Sequence, residues 1–93
     1  MSNVADQLIE RFADAIWSEE GLSDNTLSAY CSDLETFERW LTPRKIPLSH
    51  VARADILAYL AHLAGQGSRP RSTARLLSSL RRFYRYLLRE KLV

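Results

Sequence analysis

Ninety-three residues, 46% hydrophobic and 26% charged, with three Gly and three Pro, suit one small globular domain spanning 1–93 and leave no room for two. One Cys excludes a disulfide framework and a Cys-rich zinc site, and no run approaches the ~20 apolar residues of a membrane span, so a cytoplasmic location is expected. The net charge of +2 conceals a split: residues 1–42 carry nine acids against two bases, and residues 43–93 carry eleven bases against two acids.

The first predicted helix covers 4–20, where Val4, Leu8, Ile9, Phe12, Ile16 and Trp17 recur at helical spacing. Ser2 or Asn3 is positioned to cap it, and Gly21 ends it. Ser23 opens the second helix, predicted over 23–41, with Leu27, Tyr30, Leu34, Phe37 and Leu41 as its apolar face. Thr42, Pro43 and Pro47 then force a loop. A third helix over 53–65 presents Ile56, Leu57, Tyr59, Leu60 and Leu63, with Ala52 where a capping side chain would be expected. Gly65, Gln66, Gly67 and Ser68 make a turn, and Pro70 suits the first turn of a fourth helix running to residue 91. No segment alternates at strand period, so the fold class is all-α, a four-helix bundle with short connections.

The arginines concentrate on the fourth helix. With Leu77 as zero and 100° per residue, Thr73, Leu76, Leu80, Phe83, Tyr84, Leu87 and Leu88 fall between about −120° and +40°, a broad face expected to be buried. Arg71, Arg75, Arg82, Arg85 and Arg89 fall between about +80° and +160°, a stripe about 27 Å long at ~1.5 Å per residue. Arg69 lies just before it. Arg71/Arg75 and Arg85/Arg89 are like-charged i, i+4 pairs, which cost a few tenths of a kcal/mol each, so something outside the helix should offset them. Two offsets are open: the acidic first half of the chain, or the phosphates of a nucleic acid.

On the second helix, Asn25, Ser28, Ala29, Ser32 and Thr36 lie opposite the apolar face. These small, mostly hydrogen-bonding side chains would let a backbone approach a groove closely. The catalytic inventory is poor. His50 and His62 stand on different elements with no carboxylate or Cys at ligand spacing, so no metal or other cofactor is expected. No phosphate-binding glycine loop, His-paired nucleophile or converging carboxylate pair is present, and Tyr30, Tyr59, Tyr84 and Tyr86 read mostly as core. Cys31 reads as a small core residue, and Trp17 and Trp40 as packing or contact residues. No enzyme and no small-molecule substrate is expected of this chain.

The run Gly21-Leu22-Ser23-Asp24-Asn25-Thr26-Leu27-Ser28-Ala29-Tyr30, followed by Asp33-Leu34, resembles the N-terminal core-binding domain of the tyrosine recombinases, the phage-integrase superfamily. So does Ser72-Thr73-Ala74-Arg75-Leu76-Leu77-Ser78-Ser79-Leu80-Arg81-Arg82-Phe83-Tyr84-Arg85-Tyr86-Leu87, with Arg89-Glu90-Lys91 after it. Residues 15–20 and 75–78 are most similar to the chromosome-dimer-resolving members. The resemblance implies a SAM-like orthogonal bundle forming half of a clamp on double-stranded DNA. Its second and fourth helices would face the duplex, and its first would help contact neighbouring protomers in a tetrameric synaptic complex with a second, related recombinase.

By that resemblance Asn25, Thr26, Ser28 and Ser32, with Arg69, Arg71, Ser72, Arg75, Ser79 and Arg82, would meet phosphates or groove edges. Cys31 and Ser32 depart from the basic residues the family often carries there. The family's catalytic residues belong to a separate C-terminal domain, so the chain reads as a fragment without them and none of its tyrosines as the nucleophile. A helical protein-interaction module docking an acidic partner through the Arg stripe is the competing expectation. A helix-turn-helix repressor fits less well, because the stretch from Thr42 to Ala52 is too long for that motif's turn.

Overall fold

The computed structural model describes residues 4–92, most of them in four helices: α1 (Val4–Glu20), α2 (Asp24–Leu41), α3 (Arg53–Gly65) and α4 (Pro70–Arg89). Two single-turn 3-10 helices, Thr42–Arg44 and Leu48–His50, shape the connection between α2 and α3. No strand occurs among the described residues. The all-α expectation holds. The cap expected from Ser2 or Asn3 lies outside the described residues.

Local chemistry sets the ends. Gly21 reverses the chain after α1 at φ +60°, in the left-handed region where glycine meets no Cβ penalty. Ser23 is the N-cap of α2 rather than its first helical residue, and its Oγ accepts from the Thr26 N–H at 3.2 Å. At α3 the weak cap is compensated from within, since the Asp55 carboxylate accepts from the Ala52 N–H at 2.8 Å. α4 stops at Arg89, two residues short of expectation. Lys91 adopts φ +57°, and the N–H groups of Lys91 and Leu92 return to the carbonyls of Leu88 and Leu87 at 3.2 and 2.8 Å, a Schellman closure.

The core forms where α1, α2 and α4 cross. Leu8, Ile9, Phe12 and Ile16 of α1 meet Leu34, Phe37 and Leu41 of α2 and Leu76, Leu80, Phe83, Tyr86 and Leu87 of α4. Phe12 packs edge-on against Phe83 at 5.3 Å and against Tyr86 at 5.9 Å. The third helix is attached more lightly. Tyr59 is its one buried residue, set against Phe37 at 4.7 Å and Trp40 at 5.1 Å. Trp40 is therefore a packing residue, and the Arg44 guanidinium stands over its ring at 3.8 Å. Trp17 is half exposed.

The buried face of α4 is not the one the helical wheel suggested. Leu88 is 68% exposed and Leu77 borders on exposed, while Ser79 and Tyr86, left out of the expected face, are buried. The true face is turned by roughly 65° at 100° per residue. The cause is the placement of the neighbours: Phe12 of α1 reaches Phe83 and Tyr86, whereas α3 leaves the Leu77 side open. Leu77 and Leu88 line a groove with Val51, Ile56 and Tyr84. Leu57, expected inside, is also exposed.

Candidate nucleic-acid interface

The rotation of α4 decides what its arginines meet. Arg75, Arg82 and Arg89 are spaced seven apart and so lie along one edge of the helix, beside buried Ser79 and Tyr86. That edge runs against the acidic half of the chain. Arg75 donates from Nε and Nη2 to the two carboxylate oxygens of Asp33 on α2, both at 2.9 Å. Arg82 pairs with Glu20 at the end of α1, and its guanidinium stands 5.9 Å from the ring of Tyr30. Arg89 donates to both oxygens of Glu19, at 2.5 and 2.9 Å, and to Glu90 at 3.1 Å.

Of the two offsets left open for the like-charged arginines, the internal one is thus realised at three positions. The protonation equilibria follow. Hydrogen bonds from Arg89 hold the Glu19 carboxyl below its ordinary range. The Glu19 and Glu90 carboxylates push Arg89 further up, and Asp33 does the same for Arg75. Burial, with the Glu35 charge adding to it, raises the Cys31 thiol. Burial raises the Tyr84 phenol, whose hydroxyl donates to the Leu48 carbonyl at 2.7 Å.

The other arginines of the stripe are free of such partners. Arg69, Arg71 and Arg85 are exposed and make no ion pair among the described residues, and the same is true of Arg81 further round the helix. On α2, Asn25, Ser28 and Ser32 are exposed, while Thr26 is half buried with its Oγ1 accepting from the Ser23 hydroxyl at 3.0 Å. Ser72 is half buried.

Ser79 must be corrected. It is fully buried and its Oγ donates to the Leu76 carbonyl at 2.8 Å, so it cannot meet a phosphate without unpacking the helix. It lies on α4 between Arg75 and Arg82, whose partners Asp33 and Tyr30 are on α2. The wheel already placed Ser79 beside these arginines; what it could not supply was the position of α2.

The Asp33–Arg75 bridge ties α2 to the arginine edge of α4, where paired Arg75 and unpaired Arg71 lie one turn apart. Unpaired guanidinium groups suit phosphate oxygens, and short hydroxyl and amide side chains suit close backbone approach. Among the described residues no cluster of His, Cys, Asp and Glu could hold a metal, and no helix is long and apolar enough to cross a membrane.

A model of the phage integrase N-terminal SAM-like domain matches residues 9–91. The chain is 56% identical over 86 residues to the tyrosine recombinase XerD of Pseudomonas putida, covering 92% of this chain and 29% of that protein. It is 50% identical over all 93 residues to XerD of Pseudomonas aeruginosa, covering 31% of it, and 55% identical over 86 residues to XerD of Shewanella oneidensis, covering 92% of this chain and 29% of that protein. The chain thus spans less than a third of the length of these curated relatives. No solved structure gives a significant match.

Proposed function

The chain belongs to the phage integrase family, as an N-terminal SAM-like domain, and from that premise we propose that it binds duplex DNA for a XerD-like site-specific tyrosine recombinase. In this reading it grips one half of a recombination site in the cytoplasm. A XerC-like partner takes the other half, and the full-length proteins assemble as a tetrameric synapse that resolves chromosome dimers at cell division. Cutting and rejoining belong to residues outside the 93 described by this sequence. No small molecule and no cofactor enters the scheme.

The observation that supports the reading is the row of exposed arginines on α4, Arg69, Arg71 and Arg85, on a helix tied to α2 by the Asp33–Arg75 bridge. Arg69, Arg71, Arg75 and Arg82, with Ser72, would neutralise or hydrogen-bond phosphates, while Asn25, Ser28 and Ser32, with Thr26 at the edge, would sit close to the duplex backbone. The groove beside Leu77 and Leu88, rimmed by Arg53 and Arg81, supports the second reading, a helical protein-interaction module with an acidic partner.

Fluorescence anisotropy of a labelled ~30-base-pair duplex separates the two readings, since a domain neutralising about four phosphates should lose roughly 150-fold in affinity between 50 and 200 mM salt. Absence of binding at the lower salt by the folded protein would transfer the assignment to the protein-interaction module. Introducing Ser28→Glu should abolish DNA binding and leave an acidic protein partner unaffected.

A further inference from the structure

Glu19 and Glu20 are badly placed for their own helix. They fill the last turn of α1, where the carbonyl end of the dipole disfavours acids, and that turn holds no base. Their partners come from α4 instead: Glu19 takes the Arg89 fork bidentately, and Glu20 takes Arg82. The core sets this up. Glu19 follows Phe12 and Ile16 at i+7 and i+3, so the turn of α1 that buries those residues also aims Glu19 at α4. These pairs are unlike the Asp33–Arg75 bridge. The Asp33 side chain is 14% exposed, whereas the Glu20 and Glu19 side chains are 39% and 49% exposed and open to solvent. An exposed pair is worth about 0–1 kcal/mol, so it opens readily.

We propose that Glu19 and Glu20 are an internal competitor for DNA phosphate: they occupy the guanidinium edges of Arg89 and Arg82 in the free protein and are displaced when the duplex binds. A carboxylate and a phosphate use the same two-pronged donor geometry on arginine, so one replaces the other without rebuilding the site. The two acids thereby lower the affinity of the domain for any polyanion. This inference rests on the DNA-binding reading above.

The test compares three forms of this chain on the same labelled duplex between 50 and 200 mM salt: the native protein, E19Q/E20Q, and E10Q/D14N. The last makes the same change of charge on exposed α1 positions that form no ion pair among the described residues. E19Q/E20Q should bind about tenfold more tightly than E10Q/D14N at 50 mM salt. Equal affinity in the two variants, with the native protein binding, overturns the competitor and leaves the DNA reading standing. No binding by any folded form overturns both. Loss of helicity in E19Q/E20Q would make the two pairs structural and would also overturn the competitor.

Discussion

Arg75 and Asp33 face each other across the α2–α4 seam, joined by two parallel hydrogen bonds of 2.9 Å. Forty-two positions separate them in sequence, and they belong to halves of the chain with opposite charge. Arg75 is therefore both a surface cation and a strut, whereas Arg71, one turn earlier, is exposed without an ion pair among the described residues.

That difference predicts a split between two reversals of the same kind. Arg71→Glu should weaken DNA binding severalfold and leave the urea midpoint unchanged. Arg75→Glu should weaken binding as well and also lose about 1 kcal/mol of stability, the value for a charged hydrogen-bonded pair reduced for its exposure. Anisotropy and urea denaturation on both variants check it.

Ser79 provides a control within the same helix. Because its hydroxyl is buried and turned to the Leu76 carbonyl, Ser79→Ala should keep DNA affinity within twofold and change stability by less than about 1 kcal/mol. Ser79→Glu should prevent folding, since a carboxylate would be buried there without a partner. Circular dichroism distinguishes the two.

Acid titration reports on the Glu19–Arg89 pair. The Glu19 pKa is depressed in the folded state, so its contribution to stability is fully present above the ordinary value of 4.5 and is lost as pH falls through the lower folded value. Carbon-detected NMR should find the Glu19 carboxyl titrating at lower pH than normal. Arg89→Ala should return it to the ordinary range.

The core is thin, so one aromatic matters greatly. Phe83 is fully buried and touches Phe12 and Tyr84 at ring distances of 5.3 and 5.1 Å. Phe83→Ala should cost about 3–5 kcal/mol, which for a domain of this size removes most of its stability. Thermal unfolding followed at 222 nm should show the transition largely lost at room temperature.

Much of this architecture was legible before any coordinates. Ser23, Gly21, Gly67 and Pro70 mark helix ends by local chemistry that acts within a few residues, and Leu8, Ile9, Phe12 and Ile16 of α1 with Tyr30, Leu34, Phe37 and Leu41 of α2 are buried as their spacing implies, while Val4 and Trp17 at the ends of α1 are exposed. The fourth helix was harder, because it is apolar over an arc wider than its neighbours cover. Leu77 and Leu88 belong to the apolar arc by type, yet α1 and α2 pack on the Ser79–Tyr86 side and leave them outside.

The arginine stripe divides the same way. Its existence follows from helical spacing alone, since residues on one helix hold their relative angles whatever surrounds them. Whether an arginine is free or engaged depends on which carboxylate arrives beside it, and that is set by the crossing of α1 and α2 over α4. Sequence determined the four helices, most of their ends and the charge they carry. Tertiary packing alone decided that Arg75, Arg82 and Arg89 meet Asp33, Glu20 and Glu19 while Arg71 and Arg85 remain open, because an ion pair between distant segments exists only once the core has brought them within reach.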